Sequence, residues 1–294
     1  MSRSDSWLEP VLQIATLRVM DRDGLRHRLH AASLRQGVAG PGGPWRYLEV
    51  VEETGSTNAD LLARARAGED IDGVVLIAEH QTAGRGRIGR IWSGAPRAQI
   101  ILSVGVCADD VPVDAWGWLP LAAGVAVIDA VAAMTGVKAG LRWPNDVMAG
   151  DRKLAGILTE VGSPRPVIVV GIGLNVTLRS DEIGDPGATS LLELGVAAPN
   201  RDELARRLLR ELRRRTGEWR TARGADNRLI ADYRARSLTI GSRVRAMLPG
   251  GREILGVARA VDGQGRVCIE AGGETVAVSA GDVVHLRPAP GSEL

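Results

Sequence analysis

DVMAGDRKLAGILTEV, residues 146–161, reads as two short β-strands joined by a turn at Ala149-Gly150-Asp151-Arg152. VIVVGIGLNV (167–176) follows as another apolar strand. Upstream, RYLEVV (46–51), VVLIAEH (74–80) and QIILSVGV (99–106) are β-rich runs bounded by turn residues. Helical patterns lie between and after them. Asn58–Ala67 offers Leu61, Leu62 and Ala65 to a core, and Asp114–Met134 reads as one long, mostly buried helix. Residues 201–236 are helical and Arg-rich, with an apolar stripe of Leu204, Leu208, Leu209, Leu212 and Trp219 and arginines filling the solvated side. This mixture predicts an α+β fold, a mixed sheet packed with helices.

After Thr239 the pattern changes. SRVRAML, REILGVARAVD, GRVCIEAG, ETVAVSA and DVVHL are five short strands separated by Gly-containing turns, and they predict a small β-barrel. At the other end, residues 24–36 suggest a short basic helix and GVAGPGGP (37–44) breaks the chain. The expected division is a loose N-terminal segment 1–44, a main α+β domain 45–236, a barrel 237–288 and a tail 289–294. Residues 1–19 read as an extension ahead of an alternative start at Met20.

Composition narrows the function classes. The 294 residues carry a net charge of +2, too little by itself to imply nucleic acid or an anionic membrane. The longest apolar stretch, Leu121–Met134, carries Asp129 and falls short of the roughly 18–20 residues a membrane span needs. The N-terminus has no signal-peptide pattern, and two cysteines far apart argue for a reducing cytoplasm. Of 37 basic residues only Lys138 and Lys153 are lysine. In so Arg-biased a chain, a lysine that remains is a candidate for its own chemistry.

Four segments could carry that chemistry. In TGSTNADLLARA (54–65), Ser56, Thr57 and Asn58 stand at a helix start, either as a cap alone or as donors and acceptors for a polar ligand group. A ureido ring would suit such a mixed set. In AEHQTAGRGRIGRIW (78–92), Gly84, Arg85, Gly86, Arg87 and Arg90 form a Gly/Arg loop that could approach and fork onto phosphate or carboxylate oxygens. A solvated basic turn is the plain alternative, and no Gly-Lys-Ser/Thr follows to make it a Walker loop. Gln81 enters the loop and Trp92 leaves it, each placed to line or cap a pocket. In LRWPNDVMAGDRKLAGILTEV (141–161), strand alternation puts Lys153 with Ala155 and Ile157 on one face, a lone cation that invites an anion or snorkels at the hairpin mouth. Asn145 and Asp146, after a Trp-Pro pair that favours an extended approach, serve either the reaction or the turn. In VVGIGLNV (169–176) the third glycine of a dinucleotide fingerprint is missing, so glycines that make room for a nucleotide, beside Asn175, are the better reading. The four histidines show no metal-ligand or triad pattern.

In order and spacing, GSTN, QTAGRGRIGR-x-W, RWPND with DRKLAGILTE, and GIGLN resemble the catalytic domain of biotin–protein ligases, over about residues 45–287. The resemblance implies a fold like class II aminoacyl-tRNA synthetases and biotinyl–lipoyl ligases, with an SH3-like C-terminal barrel. It implies synthesis of biotinyl-5′-AMP from biotin and MgATP, then transfer to a lysine of a biotin carboxyl carrier domain. On matching positions, Ser56, Thr57, Asn58 and Gln81 would bind the biotin head. Gly84, Arg85, Gly86, Arg87 and Arg90 would belong to a loop over the adenylate, with Arg85, Gly86 and Arg87 also near biotin. Lys153 would stand at the reacting carboxylate, with Arg87 as its catalytic companion, Asn175 near the adenine and Trp92 in the lid. The Mg²⁺ ligands and the oligomeric state stay open. Lipoate or octanoate transfer on a related fold is the alternative enzyme. A biotin-responsive DNA-binding regulator is disfavoured, because no winged helix-turn-helix pattern precedes the core.

Overall fold

The computed structural model describes residues 22–40, 43–179, 181–182, 185–248, 251–280 and 285–288. The proposed tail 289–294 and residues 1–21 lie outside the described residues.

Seven strands form the main sheet: β1 (Tyr47–Thr54), β2 (Val74–Gln81), β3 (Gln99–Cys107), β4 (Gly140–Arg142), β5 (Asp146–Ala149), β6 (Arg152–Gly162) and β7 (Val167–Asn175). Their order is β1-β2-β3-β7-β6-β5-β4. Only β1 and β2 run parallel, because the helix α2 (Thr57–Arg66) carries the chain back between them; every other pairing is antiparallel. The sheet is mixed, as the sequence predicts.

Alternation along the strands feeds two cores. Val75 and Ile77 of β2 and Ile168, Val170 and Ile172 of β7 pack on one side with α3 (Leu119–Thr135) and α4 (Arg201–Thr221). Leu76, Val167 and Val169 pack on the other with Leu61, Leu62 and Ala65 of α2. On this second face the residues after Val169 are Gly171 and Gly173, where apolar packing gives way to close approach by Asn58 and Trp92.

The predicted helix at Asp114–Met134 begins instead as a 3-10 turn, Val113–Trp118, before α3. By length and composition this stretch could cross a membrane, contrary to the sequence estimate, but it is mostly buried inside the protein. Asp129, the one acid of α3, meets Arg214, Arg215 and Arg236. The helical run 201–236 is broken into α4 and α5 (Asn227–Arg236), the second capped by Asp226, whose carboxylate accepts from the Leu229 N–H at 2.7 Å. Nor do all arginines face water. The side chains of Arg201 and Arg215 are 3% exposed, each neutralised by carboxylates: Glu79 for the first, Asp129 and Asp232 for the second.

Residues 22–40 are not a loose leader. After a 3-10 turn, α1 (Ala31–Val38) buries Leu34 and Val38 beside Trp45. Leu29 is also buried, and its N–H donates to the Glu79 carboxylate at 2.6 Å. Composition concealed this because three apolar anchors are spread among charged residues.

The five expected C-terminal strands form an antiparallel sheet: β8 (Arg243–Met247), β9 (Glu253–Val261), β10 (Val267–Ala271), β11 (Glu274–Val278) and β12 (His285–Pro288), ordered β11-β10-β9-β8-β12. It docks on the main body through the indole N–H groups of Trp118 and Trp143, which donate to the carbonyls of Asp262 and Gly265.

Candidate active site

A cavity of about 750 Å³ opens over the glycine-bearing face of the sheet. That volume is within the range of small-molecule and cofactor sites. Its lining includes every residue given a binding or catalytic role from the sequence except Gly84, which is buried at the root of the loop; Lys138, the other lysine, is exposed and lies outside it.

One part of the wall is uncharged and polar. Ser56 caps α2, its hydroxyl accepting from the Ala59 N–H at a long 3.4 Å. Thr57 donates from both its N–H and its hydroxyl to Gln81 Oε1, at 2.8 and 3.0 Å. Asn58 donates to the Leu158 carbonyl and to Glu160. Ser103 Oγ lies 2.6 Å from both Thr57 Oγ1 and Asn58 Oδ1, within reach to donate its single proton to either. Sequence reasoning passed over Ser103 and Glu160. The signal for Ser103 was there, a single hydroxyl interrupting the apolar run QIILSVGV.

The floor is made of glycine. A Cβ on Gly171 would stand 2.2 Å from Asn58 Oδ1, and one on Gly173 would stand 2.3 Å from Trp92 Cε2. Gly156, paired with Gly173 across the ladder, likewise faces Trp92. The Gly-x-Gly of β7 thus seats two protein side chains, Asn58 and Trp92, where the sequence suggested room for a nucleotide.

The charged part of the wall differs from expectation in an informative way. In the pairing of β5 with β6, Val147 faces Ala155 and Met148 faces Lys153, leaving Leu154 as the extra residue of a bulge. Leu154 and Ala155 both enter the large core, and the alternation resets. Lys153 therefore joins Gly156 on the cavity face, not Ala155 and Ile157. Nor is it a lone cation: its Nζ meets Asp146 Oδ1 at 2.5 Å and lies 5.5 Å from the Trp92 ring centroid. Residues 143–145 make a turn with a cis Trp143–Pro144 bond, not an extended approach. Asn145 then braces β6, donating to the Ile157 carbonyl while its own carbonyl accepts from the Ile157 N–H, both at 2.9 Å.

The Gly/Arg loop is a small hairpin. Arg85 bridges Ile91, and a tight turn at Arg87–Gly89 holds Ile88 at φ 55° and Gly89 at φ 71°. Its arginines diverge. Arg85 pairs with Glu160 at 3.3 Å, and Arg90 is exposed. Arg87 turns inward, donating to Asn145 Oδ1 at 3.5 Å and to the carbonyl of Ala280, two residues after β11 of the C-terminal sheet. Burial lowers the pKa of its guanidinium, Asp146 opposes that shift and Arg90 adds to it. Arginine starts so high that the group remains a cation at neutral pH.

Asn175 closes the far wall. Its amide is already engaged, accepting from Gln99 Nε2 at 2.8 Å and donating to the Thr189 carbonyl at 2.9 Å. Beside it, Trp92 Nε1 and Gln99 Oε1 are buried without hydrogen-bond partners.

Two family models match this chain: the biotin/lipoate A/B protein ligase family over residues 50–176, and the biotin protein ligase C-terminal domain over residues 239–286. The chain is 63% identical over 270 residues to the biotin–[acetyl-CoA-carboxylase] ligase of Mycobacterium tuberculosis, an alignment covering 91% of this chain and 99% of that protein. The chain belongs to the biotin protein ligase family. It is also 33% identical over 240 residues to the bifunctional ligase/repressor BirA of Escherichia coli, covering 79% of this chain and 71% of that one. Among solved structures, the Aquifex aeolicus biotin protein ligase in complex with biotin and ATP aligns with a TM-score of 0.71 at 25% identity, over 83% of this chain and all of that one. Among the described residues, one 3-10 turn and the single helix α1 precede β1, which is not a helix-turn-helix.

Proposed function

We propose that this ligase activates biotin with MgATP to biotinyl-5′-AMP and pyrophosphate, then passes biotin to a lysine of a biotin carboxyl carrier domain. The observation that carries this reading is one cavity with an uncharged hydrogen-bonding wall and a cationic wall on the same strand. Asn58 meets β6 at Leu158, five residues from Lys153, about 16 Å at 3.3 Å per residue. A ureido ring among Ser56, Thr57, Asn58 and Gln81, backed by Ser103, would leave its acyl chain along the Trp92 indole that covers Gly156 and Gly173, with the carboxylate delivered to Lys153.

Attack of that carboxylate on the α-phosphate brings two anions together. Lys153 and Arg87, both facing the cavity, offset the repulsion and the charge that develops. Arg85, latched to Glu160, keeps one arm of the lid hairpin down while Arg87 closes the other. The mixed anhydride is thereby shielded from water until the carrier's lysine arrives. The unpartnered Trp92 Nε1 and Gln99 Oε1 beside Asn175 fit a heterocyclic base, so the adenine is assigned to that wall. Among the described residues no three His, Cys, Asp or Glu side chains gather as a metal site. Mg²⁺ usually binds through one or two carboxylates plus nucleotide phosphates, and the cavity-lining carboxylates Asp146, Asp151 and Asp185 are the groups that would hold it. When bound there, the ion screens phosphate charge.

Residues 45–236 would serve as the catalytic unit and 237–288 as an SH3-like support that also touches the lid. The acceptor is assigned from the relative's substrate, acetyl-CoA carboxylase. The two free cysteines support a cytoplasmic setting. Lipoate chemistry is disfavoured by the C-terminal domain match. The deciding experiment is pyrophosphate release from ATP with biotin, with lipoate and with neither, followed by addition of a carrier domain. Biotin-dependent release and carrier labelling are expected; release driven equally by lipoate would refute the reading.

A further inference from the structure

Arg26 lies ahead of both regions matched by the family models. Its guanidinium nevertheless reaches across the chain to the rim of the cavity. It donates to Thr177 Oγ1 at 3.3 Å, to the Thr177 carbonyl at 2.9 Å, and to the two Glu182 carboxylate oxygens at 2.9 and 2.5 Å. The Arg26 and Glu182 side chains are 15% and 18% exposed, so this fork is largely shielded from solvent screening.

The rim it grips borders the cationic wall. Leu178, Asp185, Gly187 and Ala188 line the cavity. The Lys153 N–H donates to the Gly187 carbonyl at 2.7 Å, and the Thr189 N–H donates to the Lys153 carbonyl at 2.8 Å. Gly187 and Thr189 are therefore tied to the Lys153 backbone, and Thr177 and Glu182 to Arg26. Arg26 is itself held on a fixed post. The next residues are pinned by Arg201, which donates to the His27 carbonyl at 3.0 Å, and by Glu79, which accepts from Leu29. Arg201 and Glu79 form a buried ion pair, and Arg201 also donates to the Gln99 backbone carbonyl.

We infer that Arg26 is a positioning residue for the adenylation step, clamping the rim at Thr177 and Glu182 so that the nucleotide side of the cavity and the backbone of Lys153 are set before ATP arrives. The post shares β2 and β3 with the biotin wall through Glu79 and Gln99, but the hydrogen bonds of Thr57, Asn58 and Gln81 run to one another, to Ser103 and to β6, not to Arg26, Thr177 or Glu182. Loss of the clamp should therefore separate the two substrates. The inference rests on the biotin and ATP reading above.

The test uses the full chain in biotin-dependent ATP–pyrophosphate exchange, with Arg26→Ala, Arg26→Lys and Glu182→Gln. Arg26→Ala should raise the KM for ATP about tenfold, the scale of one lost charge-assisted hydrogen bond, and leave the KM for biotin within about twofold. Arg26→Lys, which keeps the charge without the fork, should fall between. Adding Glu182→Gln to Arg26→Ala should bring little further loss, since both remove one interaction. Hydrogen exchange of the Thr177 and Thr189 amides, bonded to the Ala98 and Lys153 carbonyls, should quicken in Arg26→Ala. An unchanged KM for ATP, or an equal rise in both KM values, would overturn the clamp. Should Arg26→Ala fail to fold, the same KM split is read from Arg26→Lys and Glu182→Gln. A wild-type chain with no biotin-dependent exchange would sink the ligase reading instead, and hydrogen exchange would still decide whether Arg26 holds the rim.

Discussion

Gly173→Ala tests the glycine floor directly. The added Cβ would stand 2.3, 2.5 and 2.6 Å from Cε2, Nε1 and Cζ2 of Trp92. Ordinary carbon contacts lie at about 3.5–4.0 Å, so the indole must recede by more than about 1 Å. A rigid bicyclic ring cannot yield by swinging a flexible tip, and its far edge already rests against Gly156. Overpacking of this kind costs about 1–3 kcal/mol, or about 5- to 150-fold if expressed wholly in ligand retention. Because Trp92 is the exit of the lid hairpin, part of the cost should appear as faster escape of biotinyl-AMP. The assay is release of labelled adenylate from the preformed complex, alongside thermal unfolding of the free protein. Gly156→Ala, whose Cβ would stand 3.2 Å from the ring, should do less. Gly173→Ala combined with Trp92→Leu should recover melting temperature. Wild-type release together with a wild-type melting temperature in Gly173→Ala would mean that the indole does not sit on this floor.

Three further outcomes follow from the site and its supports. Lys153→Ala should cut adenylate formation by about 100-fold or more, since it removes the cation at the reacting centre and strands Asp146. Lys153→Arg should recover only part, and near-normal pyrophosphate release in either would remove Lys153 from the chemistry. Arg87→Ala should leave biotin affinity largely intact while speeding adenylate leakage, measured as above; unchanged leakage would contradict its role in closing the lid. Arg201→Ala leaves Glu79 buried without its cation and should cost about 3–5 kcal/mol in urea unfolding, with much of that recovered in Arg201→Met combined with Glu79→Leu. A loss below about 1 kcal/mol would show that the pair is not desolvated as the geometry implies.

The architecture was legible where period and punctuation agreed. The hairpin at 149–152, the strands feeding both cores and the five C-terminal strands all appear close to where alternation and turn residues place them. The polar helix start was legible as well, because three cap-forming residues before an apolar stripe have few other uses. What escaped depended on contacts far apart in sequence. Nothing local marks Leu154 as a bulge, so simple alternation put Lys153 on the wrong face. Nothing local distinguishes Arg201 and Arg215 from the solvated arginines around them, since burial is decided by Glu79, Asp129 and Asp232 on other elements. The N-terminal segment failed for the same reason, its anchors Leu29, Leu34 and Val38 being too sparse to show a period.

These misplacements share a consequence for how the cavity works. A lysine on the Ala155 face would have pointed into the large core and needed a buried counter-ion; the bulge instead delivers it beside Asp146 on the open face. In that position the cation is already neutralised, so the empty cavity does not carry an uncompensated charge. An arriving phosphate then takes the place of the Asp146 carboxylate as the lysine's anionic partner, which asks less reorganisation than recruiting a free lysine from solvent. Arg87 stands in the same condition, its guanidinium engaged by Asn145 and by the Ala280 carbonyl. Because Ala280 belongs to the segment after β11, closure of the lid is coupled to the placement of the C-terminal sheet. A loop of glycines and arginines is thus given a fixed surface on which to close.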